Sequence, residues 1–207
     1  MKHLRLSIVF VVLAVLVIPV TASAQSGGLT YTAGIQIQNL DTSTAADVVV
    51  TFYNQDGTTT SPGGSTSFTI AAGGQKTLFP LEGASDGFNG SVVVSSSAEV
   101  QAIANVLGNG GAYGASYGGF TAGAETAYVP LLMKANSGYN TWFNVQNTGS
   151  AATTVTITYS DGVTASCANL QPGAACTLDQ STEAHASKWV GRSEERRVGK
   201  EWRSRWS

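Results

Sequence analysis

Two cysteines are the residues of this 207-residue chain best suited to covalent chemistry. Cys167 and Cys176 flank the sequence LQPG, whose proline and glycine are typical of a tight turn. Facing positions of a hairpin suit a disulfide, and an even pair of cysteines in an exported chain normally oxidises. A metal site would need further ligands close by, and the surrounding sequence has none. We therefore predict a disulfide between Cys167 and Cys176 and no metal site.

The histidines and acidic residues do not form a recognisable catalytic set. His3 lies in an apolar N-terminal leader and His185 stands alone near the C-terminus, so no Ser/His/Asp set is available. Asp56 and Asp161 each precede a glycine, a pair typical of hairpin turns. The number of acidic residues leaves open a carboxylate pair that could hydrolyse glycosides. The sequence has no calcium-binding loop motif and no phosphate-binding glycine loop. The sequence predicts a protein that is not an enzyme and has no cofactor.

Aromatic residues of a glycine-rich segment are the candidates for ligand binding. Residues 107–123, LGNGGAYGASYGGFTAG, place Tyr113, Tyr117 and Phe120 three or four residues apart. One interpretation is a mobile linker or loop whose rings dock on the neighbouring domain, because glycine permits many backbone conformations. The other is a loop that presents rings to a sugar or a protein, together with Trp142.

The elements that position these residues begin after a secretory signal peptide. Lys2 and Arg5 precede an apolar run, and small residues at Ala22 and Ala24 suit a signal peptidase. The run is shorter than the roughly 20 residues of a spanning helix. We predict that residues 1–24 are removed before Gln25, so that the mature protein is secreted or held at the cell surface without a membrane span.

Residues 192–207, RSEERRVGKEWRSRWS, differ sharply in composition from the Ser/Thr/Gly/Ala-rich chain before them. They resemble the translation of a short-read sequencing adapter, with Trp202 where the usual translation has cysteine. A basic nucleic-acid-binding tail is the alternative. We interpret the segment as an adapter-derived artefact and the natural chain as cut off near Gly191.

Net charge then argues against nucleic acid as a partner. Without the leader and the last sixteen residues, three basic and ten acidic residues remain, a formal charge of 3 − 10 = −7. An acidic surface repels nucleic acid and anionic membranes.

Composition and alternation predict an all-β fold. Residues 25–191 are rich in Val, Thr, Ser, Gly and Ala and show no helical periodicity of useful length. Six strands are predicted at 31–38, 47–53, 67–71, 76–81, 91–95 and 99–107, with 67–71 and 76–81 forming a hairpin. Two packed sheets would bury one face of each strand. The alternation predicts an inward-facing set of Val48, Val50, Phe52, Val92 and Val94.

The chain contains two copies of one unit. Residues 34–57, GIQIQNLDTSTAADVVVTFYNQDG, are restated at 141–162, TWFNVQNTGSAATTVTITYSDG. In both copies a strand ends in Gln-Asn, where the asparagine is expected to bond its own backbone, and a second strand ends in Asp-Gly. In this alignment Ser67 and Lys76 stand where the second copy has Cys167 and Cys176.

The second copy ends before its later strands. The strand predicted at 127–134 either closes the first sandwich or opens the second, and Pro130 would lie at an edge or a bulge. After it come Phe143 and Val145, then Val155, Ile157 and Tyr159, which we expect to lack a facing sheet. The predicted modules are 25–107 and 124–191, joined by 108–123.

These repeats resemble tandem immunoglobulin-like β-sandwich modules of uncharacterised bacterial secreted and cell-surface proteins. The resemblance covers VPLLMKANSGYNTWFNVQN, TTVTITYSDG and their counterparts in the first copy. It implies a structural or adhesion role, with surface proteins or polysaccharide as partners, and brings no catalytic residues. The alternative is a carbohydrate-binding module that uses the aromatic residues of the glycine-rich segment.

Overall fold

The computed structural model describes residues 11–16, 31–60, 65–81, 84 and 88–198. The predicted cleavage point at Gln25 and residues 199–207 lie outside this described part. Within it the chain forms fourteen strands, one short 3-10 turn and no α-helix. The predicted all-β class is confirmed. No described helix has the length and apolar character that crossing a membrane requires.

The chain divides into two compact units, Met1–Gly123 and Ala124–Ser207. The described residues of the first unit form eight strands. Their bounds are β1 Val11–Leu16, β2 Tyr31–Asn39, β3 Ala46–Asn54, β4 Ser65–Ile70, β5 Gln75–Leu78, β6 Asn89–Ser96, β7 Val100–Gly108 and β8 Tyr113–Gly118.

Two four-stranded antiparallel sheets make up the first unit. Sheet 1a has the order β1-β6-β3-β4 and sheet 1b the order β5-β2-β7-β8. Apolar residues alternate along these strands, and since side chains on a strand alternate between faces, one face of each sheet is apolar. Both apolar faces contribute to a single buried cluster. The predicted inward set is confirmed, with exposures of 0 or 1 %: Val48, Val50, Phe52, Val92 and Val94.

The hairpin predicted from residues 67–71 and 76–81 is wrong. Strand β4 pairs with β3 in sheet 1a, whereas β5 pairs with β2 in sheet 1b. The turn between them, at Gly73 with φ of 66°, therefore carries the chain from one sheet to the other. A left-handed glycine serves either connection equally well, so turn composition does not distinguish them.

The glycine-rich segment contains a strand rather than only a linker or loop. Strand β8 pairs antiparallel with β7 along its whole length, from Gly108 opposite Tyr113 to Ile103 opposite Gly118. It forms the outer edge of sheet 1b. Glycine is disfavoured in strands. We therefore attribute the strand conformation of β8 to its backbone hydrogen bonds with β7 and not to the propensity of its residues.

The described residues of the second unit form the other six strands. They are β9 Thr126–Lys134, β10 Trp142–Gln146, β11 Thr153–Tyr159, β12 Thr164–Leu170, β13 Ala175–Asp179 and β14 Trp189–Val198. Sheet 2a has the order β12-β11-β14-β9, and among the described residues sheet 2b contains β10 and β13. Pro130 lies on an edge strand, opposite the register shift between Gly191 and Ser193, as predicted.

Sheet 2b covers part of the apolar face of sheet 2a, contrary to expectation. Val155, Ile157 and Tyr159 are buried at 7, 0 and 2 % exposure. Phe143 and Val145 are half-buried and pack against this second cluster. The short crossover from β12 to β13 brings β13 beside β10, which the sequence pattern did not indicate.

Strand pairing shows which positions of the two units correspond. Thr153 pairs with Leu170 as Ala46 pairs with Ile70. Tyr159 pairs with Ser193 on β14, as Phe52 pairs with Val92 on β6. The strand order of sheet 2a, β9-β14-β11-β12, therefore matches the order β1-β6-β3-β4 of sheet 1a. Among the described residues, sheet 2b corresponds to the β5 and β2 part of sheet 1b.

Residues 192–198 form most of the central strand β14 of sheet 2a. By the pairing with β11, Ser193 and Glu195 occupy the positions of Val92 and Val94. Both are buried, at 2 and 4 % exposure. Two polar side chains thus stand in the second unit where the first has valines.

Candidate functional site

The aromatic residues predicted to bind a ligand do not share one site in either unit. Tyr113 opens β8 and Tyr117 lies near its end. The ring of Tyr117 packs against the first core, and its buried hydroxyl has no hydrogen-bond partner. Burial raises the pKa of this hydroxyl well above its ordinary value of 10.0. Tyr117 therefore contributes to packing instead of presenting a ring to solvent.

Phe120 and Trp142 lie in different units. Phe120 follows β8 and is 64 % exposed. Trp142 begins β10 in the second unit, is half-buried and pairs with Asp179 of β13. Of the glycine-segment aromatics with a described side chain, only Phe120 presents most of its ring to water.

The disulfide joins the two sheets of the second unit. Cys167 on β12 and Cys176 on β13 are bonded, with Sγ atoms 2.06 Å apart and Cα atoms 6.1 Å apart. Because β12 belongs to sheet 2a and β13 to sheet 2b, the cysteines are not facing positions of a hairpin. The bond closes the turn through which the chain passes from one sheet to the other.

The first unit carries a cation–π contact at the matching place. The Nζ atom of Lys76 lies 5.8 Å from the centre of the Phe68 ring. Phe68 pairs with Val48 as Cys167 pairs with Val155, so the counterpart of Cys167 is Phe68 and not Ser67. The sequence alignment was one residue off because the pairing of β11 with β12 shifts register between Thr153 and Val155, where β12 has one extra residue. Asn169, whose φ is 51°, lies in β12 at this shift.

Asn39, at the end of β2, ties sheet 1b to sheet 1a. Its side-chain nitrogen donates to the carbonyl oxygens of Thr44, Ile70 and Ala71 at 2.8, 3.3 and 3.2 Å. Its side-chain oxygen accepts from the backbone N–H of Asp41 at 3.0 Å. The residue is fully buried. The predicted bond to its own backbone is present, and the bonds to the end of β4 are an addition that the sequence did not reveal.

Asn147 makes the corresponding contacts in the second unit. Its side-chain nitrogen donates to Ala151 O at 2.9 Å and to Leu170 O at 2.8 Å, and its oxygen accepts from Gly149 N at 2.9 Å. The recurring Gln-Asn motif is therefore a buried clamp between sheets. A buried amide with its partners in place stabilises one arrangement because leaving it unpaired costs about 1–3 kcal/mol.

A polar cluster around His185 was missed by sequence reasoning. His185 is buried, and its Nδ1 atom lies 2.8 Å from Asp161 Oδ2. Its Nε2 atom lies 2.9 Å from Gln180 Oε1, while Gln180 Nε2 donates to the hydroxyl of Tyr159 at 3.3 Å. The imidazole stacks on Trp189, with ring centres 3.9 Å apart. Both ring nitrogens thus lie within hydrogen-bond distance of a side-chain oxygen.

This cluster lacks the geometry of a catalytic triad. In such a triad the histidine Nε2 faces a nucleophile, whereas here it faces the amide of Gln180. Asp161 also accepts from the backbone N–H of Val163 at 3.2 Å, the turn role predicted for it. No group of three or more metal-ligating side chains occurs among the described residues. The only sequence signal for the cluster was the Asp-Gly turn, since the other contacts join residues distant in the chain.

Comparison with protein-family models, with curated proteins and with solved structures finds no match to this chain.

Proposed function

We propose that this chain is a non-enzymatic structural or adhesion protein of the bacterial cell exterior, built from immunoglobulin-like β-sandwich repeats. The observation that carries the proposal is that the residues shared by the two copies have a structural role. Asn39 and Asn147 are buried and hold two sheets together in both units. What the two copies share is thus a scaffold, while the His185 cluster of the second unit has no nucleophile at its Nε2 atom.

Export supports the same role. The disulfide suits an oxidising compartment outside the cytoplasm, and the leader at residues 1–24 has the pattern of a signal peptide. Residues 11–16 of that leader form β1 at the edge of sheet 1a. Cleavage before Gln25 removes this strand from the mature protein.

Expression of the intact gene in a bacterial host tests export. Mass spectrometry should find a mature N-terminus at Gln25 in the periplasmic or extracellular fraction. Thiol titration of the denatured, unreduced protein should find no free thiol. A cytoplasmic chain that retains Met1 and titrates two thiols would contradict the proposal. Binding of the purified protein to whole cells and to surface polysaccharide then tests adhesion.

Carbohydrate binding is the second candidate, because Phe120 exposes most of its ring at the end of the glycine-rich segment. Rings in this setting stack on the apolar faces of sugars. A glycan array should show binding that is lost in Phe120→Ala and kept in Tyr117→Phe, since Tyr117 faces the core. Binding that survives Phe120→Ala would remove this candidate.

The proposed adapter origin of residues 192–207 is supported by the polar side chains that β14 places in the core. Ser193 and Glu195 stand where the first unit has Val92 and Val94, and Glu195 Oε2 is buried without a hydrogen-bond partner. Sequencing the gene from independently prepared source DNA should give a different sequence after Gly191. Recovery of RSEERRVGKEWRSRWS from that DNA would contradict this origin.

A further inference from the structure

The outward face of sheet 1b carries an array of uncharged polar side chains. Side chains alternate between the two faces of a strand, and the buried residues of β2 and β7 show which positions face the core. The intervening positions of these strands, with their neighbours on β5 and β8, point outward. We call this surface the amide face and define it by Gln36, Gln38, Gln75, Gln101, Asn105 and Ser116.

Strand pairing arranges these side chains in rows across the sheet. Gln38 lies between Gln75 of β5 and Gln101 of β7. Asn105 of β7 pairs with Ser116 of β8. Neighbouring strands are about 4.8 Å apart, so a row across four strands is about 14 Å long. The amide face is therefore a surface along which an extended polymer chain can lie.

Hydrogen bonds hold several of these side chains in place. The side-chain nitrogen of Gln36 donates to the side-chain oxygen of Gln75. The hydroxyl of Ser116 donates to Asn105 Oδ1 at 2.6 Å. Side chains that are already ordered lose less conformational freedom when a ligand binds. The amide face is preorganised in this sense.

An exposed aromatic ring lies against the same face. Phe79 follows β5 and is 58 % exposed. A Cβ atom at Gly34, an outward position of β2, would lie 2.8 Å from Cδ2 of Phe79. The ring therefore lies over the backbone of Gly34, where the absence of a side chain makes room for it. Gly34 pairs with Asn105, so the ring adjoins the amide face.

The amide face is uncharged although the unit is acidic. Residues 25–123 contain one basic residue, Lys76, and six acidic residues, a formal charge of 1 − 6 = −5. Four of the acidic residues are described, and they lie in sheet 1a or in loops: Asp41, Asp47, Asp56 and Glu99. Lys76 lies over the ring of Phe68. The unit would repel an anionic polymer, since this face has no cation to hold one.

The outward face of sheet 1a has a different chemistry. The outward positions of β3 and β4 carry no amide side chain and include Asp47, Val49 and Thr69. The Asp47 carboxylate accepts from the Thr69 hydroxyl at 2.8 Å. The array of amides is therefore a feature of sheet 1b and does not simply follow from the composition of the unit.

We propose that the amide face and the ring of Phe79 bind an extended neutral polysaccharide. A side-chain amide both donates and accepts hydrogen bonds, as a sugar hydroxyl does. An exposed aromatic ring packs on the apolar face of a sugar. The proposal rests on the adhesion role proposed above, to which it assigns a site and a ligand class.

A protein partner fits this face less well. Protein interfaces have an apolar centre surrounded by a polar rim. The exposed large apolar side chains of this face are Phe79 and Ile103, the latter 39 % exposed. Amides and hydroxyls make up the array around them, which favours a ligand covered with hydroxyl groups.

Affinity electrophoresis of the full chain tests the ligand class. The purified protein, with its disulfide intact, is run in native gels that each contain one polysaccharide. The neutral probes are hydroxyethylcellulose, arabinoxylan, galactomannan and dextran, and the anionic comparator is alginate. At least one neutral probe should retard the chain in proportion to its concentration. Alginate should not, because the unit is acidic.

Paired substitutions locate the site. Phe79→Ala should weaken binding of the retarding polysaccharide by about ten-fold or more, whereas Phe79→Tyr keeps the ring and should stay within about two-fold. Gln36→Ala removes an amide from the face and should also weaken binding by about ten-fold. Val49→Ala, on the outward face of sheet 1a at 42 % exposure, is the control and should bind normally. Thermal unfolding verifies that all four variants are folded.

Side-chain NMR signals supply a direct readout. Oligosaccharides cut from the retarding polysaccharide should shift the side-chain NH2 resonances of Gln36, Gln75 and Gln101. The NH2 resonance of Asn54, which bonds within the turn after β3, should not move.

Several results would overturn the proposal. They are no retardation by any neutral probe, equal retardation of the wild type, Phe79→Ala and Gln36→Ala, or stronger retardation by alginate. A dimer in sedimentation that Phe79→Ala dissociates would assign the face to a second copy of the chain instead. Whole-cell binding that persists in Phe79→Ala would remove this site and leave the adhesion role intact. Sugar stacking at Phe120 is decided separately by Phe120→Ala, so the proposals fail independently.

Discussion

The two units form the same scaffold with different side chains. Both fold a Gln-Asn strand beneath a four-stranded sheet and clamp the sheets with the asparagine. In the first unit, Lys76 lies over the ring of Phe68 and links the two strands that flank the turn between the sheets. In the second unit, a disulfide links the corresponding strands. The backbone connection between sheets is therefore the constant element, and the side chains that reinforce it vary.

The interiors differ in the same way. Phe52 and Phe88 meet edge to face in the first unit, with ring centres 5.6 Å apart. Tyr159 and Trp189 repeat that contact at 5.9 Å in the second, where His185 is added against both rings. Both contacts lie beside a crowded glycine: a Cβ atom at Gly90 would lie 1.8 Å from the backbone oxygen of Tyr53, and one at Gly191 would lie 2.2 Å from the Trp189 ring. The second unit thus keeps the aromatic contact and surrounds it with polar groups.

The largest effect is expected from the asparagine clamps. Asn39→Ala removes the partner of three carbonyl groups and should lower the free energy of unfolding of the first unit by about 3 kcal/mol. Asn147→Ala should lower that of the second unit by about 2 kcal/mol, since it has two carbonyl partners. Denaturant unfolding measures both. Asn54→Ala, whose bonds are exposed, is the control, and a loss there as large as at Asn39 would refute the clamp.

The disulfide and its counterpart give the next largest difference. Cys167→Ala with Cys176→Ala should destabilise the second unit by about 2–3 kcal/mol. Removing the cation–π contact at its exposed partner with Lys76→Met should cost the first unit about 1 kcal/mol or less.

The correspondence itself can be tested by moving the disulfide. Phe68→Cys with Lys76→Cys should form an intramolecular bond in the first unit, detected as absent thiols. Ser67→Cys with Lys76→Cys should not, because Ser67 is exposed on the opposite face of β4. The reverse result would restore the alignment that matches Ser67 to Cys167.

A smaller gain is expected from making the second core resemble the first. Ser193→Val with Glu195→Val should raise the free energy of unfolding of the second unit by about 2 kcal/mol, because a buried carboxyl with an unpaired oxygen is replaced by apolar groups. Glu194→Val, at the intervening position of β14, is the matched control and should give no gain. Destabilisation by the double substitution would mean that Ser193 and Glu195 do not face the core as Val92 and Val94 do.

The two units should also differ in their response to acid. Burial raises the pKa of Glu195 above its ordinary value of 4.5. Partial burial raises the pKa of Asp161, but its hydrogen bonds from His185 and the Val163 N–H outweigh this and lower it below 3.8. Proton uptake by Glu195 adds stability as pH falls towards 4.5, and protonation of Asp161 removes stability below 3.8.

For these two groups the stability of the second unit is therefore greatest at about pH 4. Glu195→Gln should remove the gain on acidification, and Asp161→Asn should remove the loss that follows it. Urea unfolding across pH 3–7, monitored separately for each unit, measures this, and the first unit should lack the gain because valines occupy those positions. A second unit whose stability falls steadily from pH 7 would contradict the assignment.

The sequence predicted the inward faces well because they depend on a local property, the alternation of side chains along a strand. Val48, Val50 and Phe52 needed no knowledge of distant contacts. The sheet membership of β4 and β5 did need it, since a glycine turn looks the same within a sheet and between sheets. The bulge at Asn169 displaced the alignment of Cys167 for the same reason: a one-residue register shift leaves no compositional signature.

The aromatic candidates show another limit. Tyr117 lies on a strand that the sequence assigned to a linker or loop, because glycine content outweighed the weak alternation. The His185 cluster depends on contacts across 24, 21 and 5 residues of chain. Only the tertiary fold brings its members together.

Amide hydrogen exchange on the full chain tests most directly the claim that β10 pairs with β13 alone among the described strands, whereas the corresponding strand β2 lies between β5 and β7. Along β2, the amides of Gln36 and Gln38 should exchange slowly, because they are bonded to β7. Along β10, Phe143 and Val145 should be slow while Trp142, Asn144 and Gln146 exchange fast, because only the odd-numbered amides face β13. Slow exchange at all five residues of β10 would mean that a second strand pairs with β10 and would contradict this pairing.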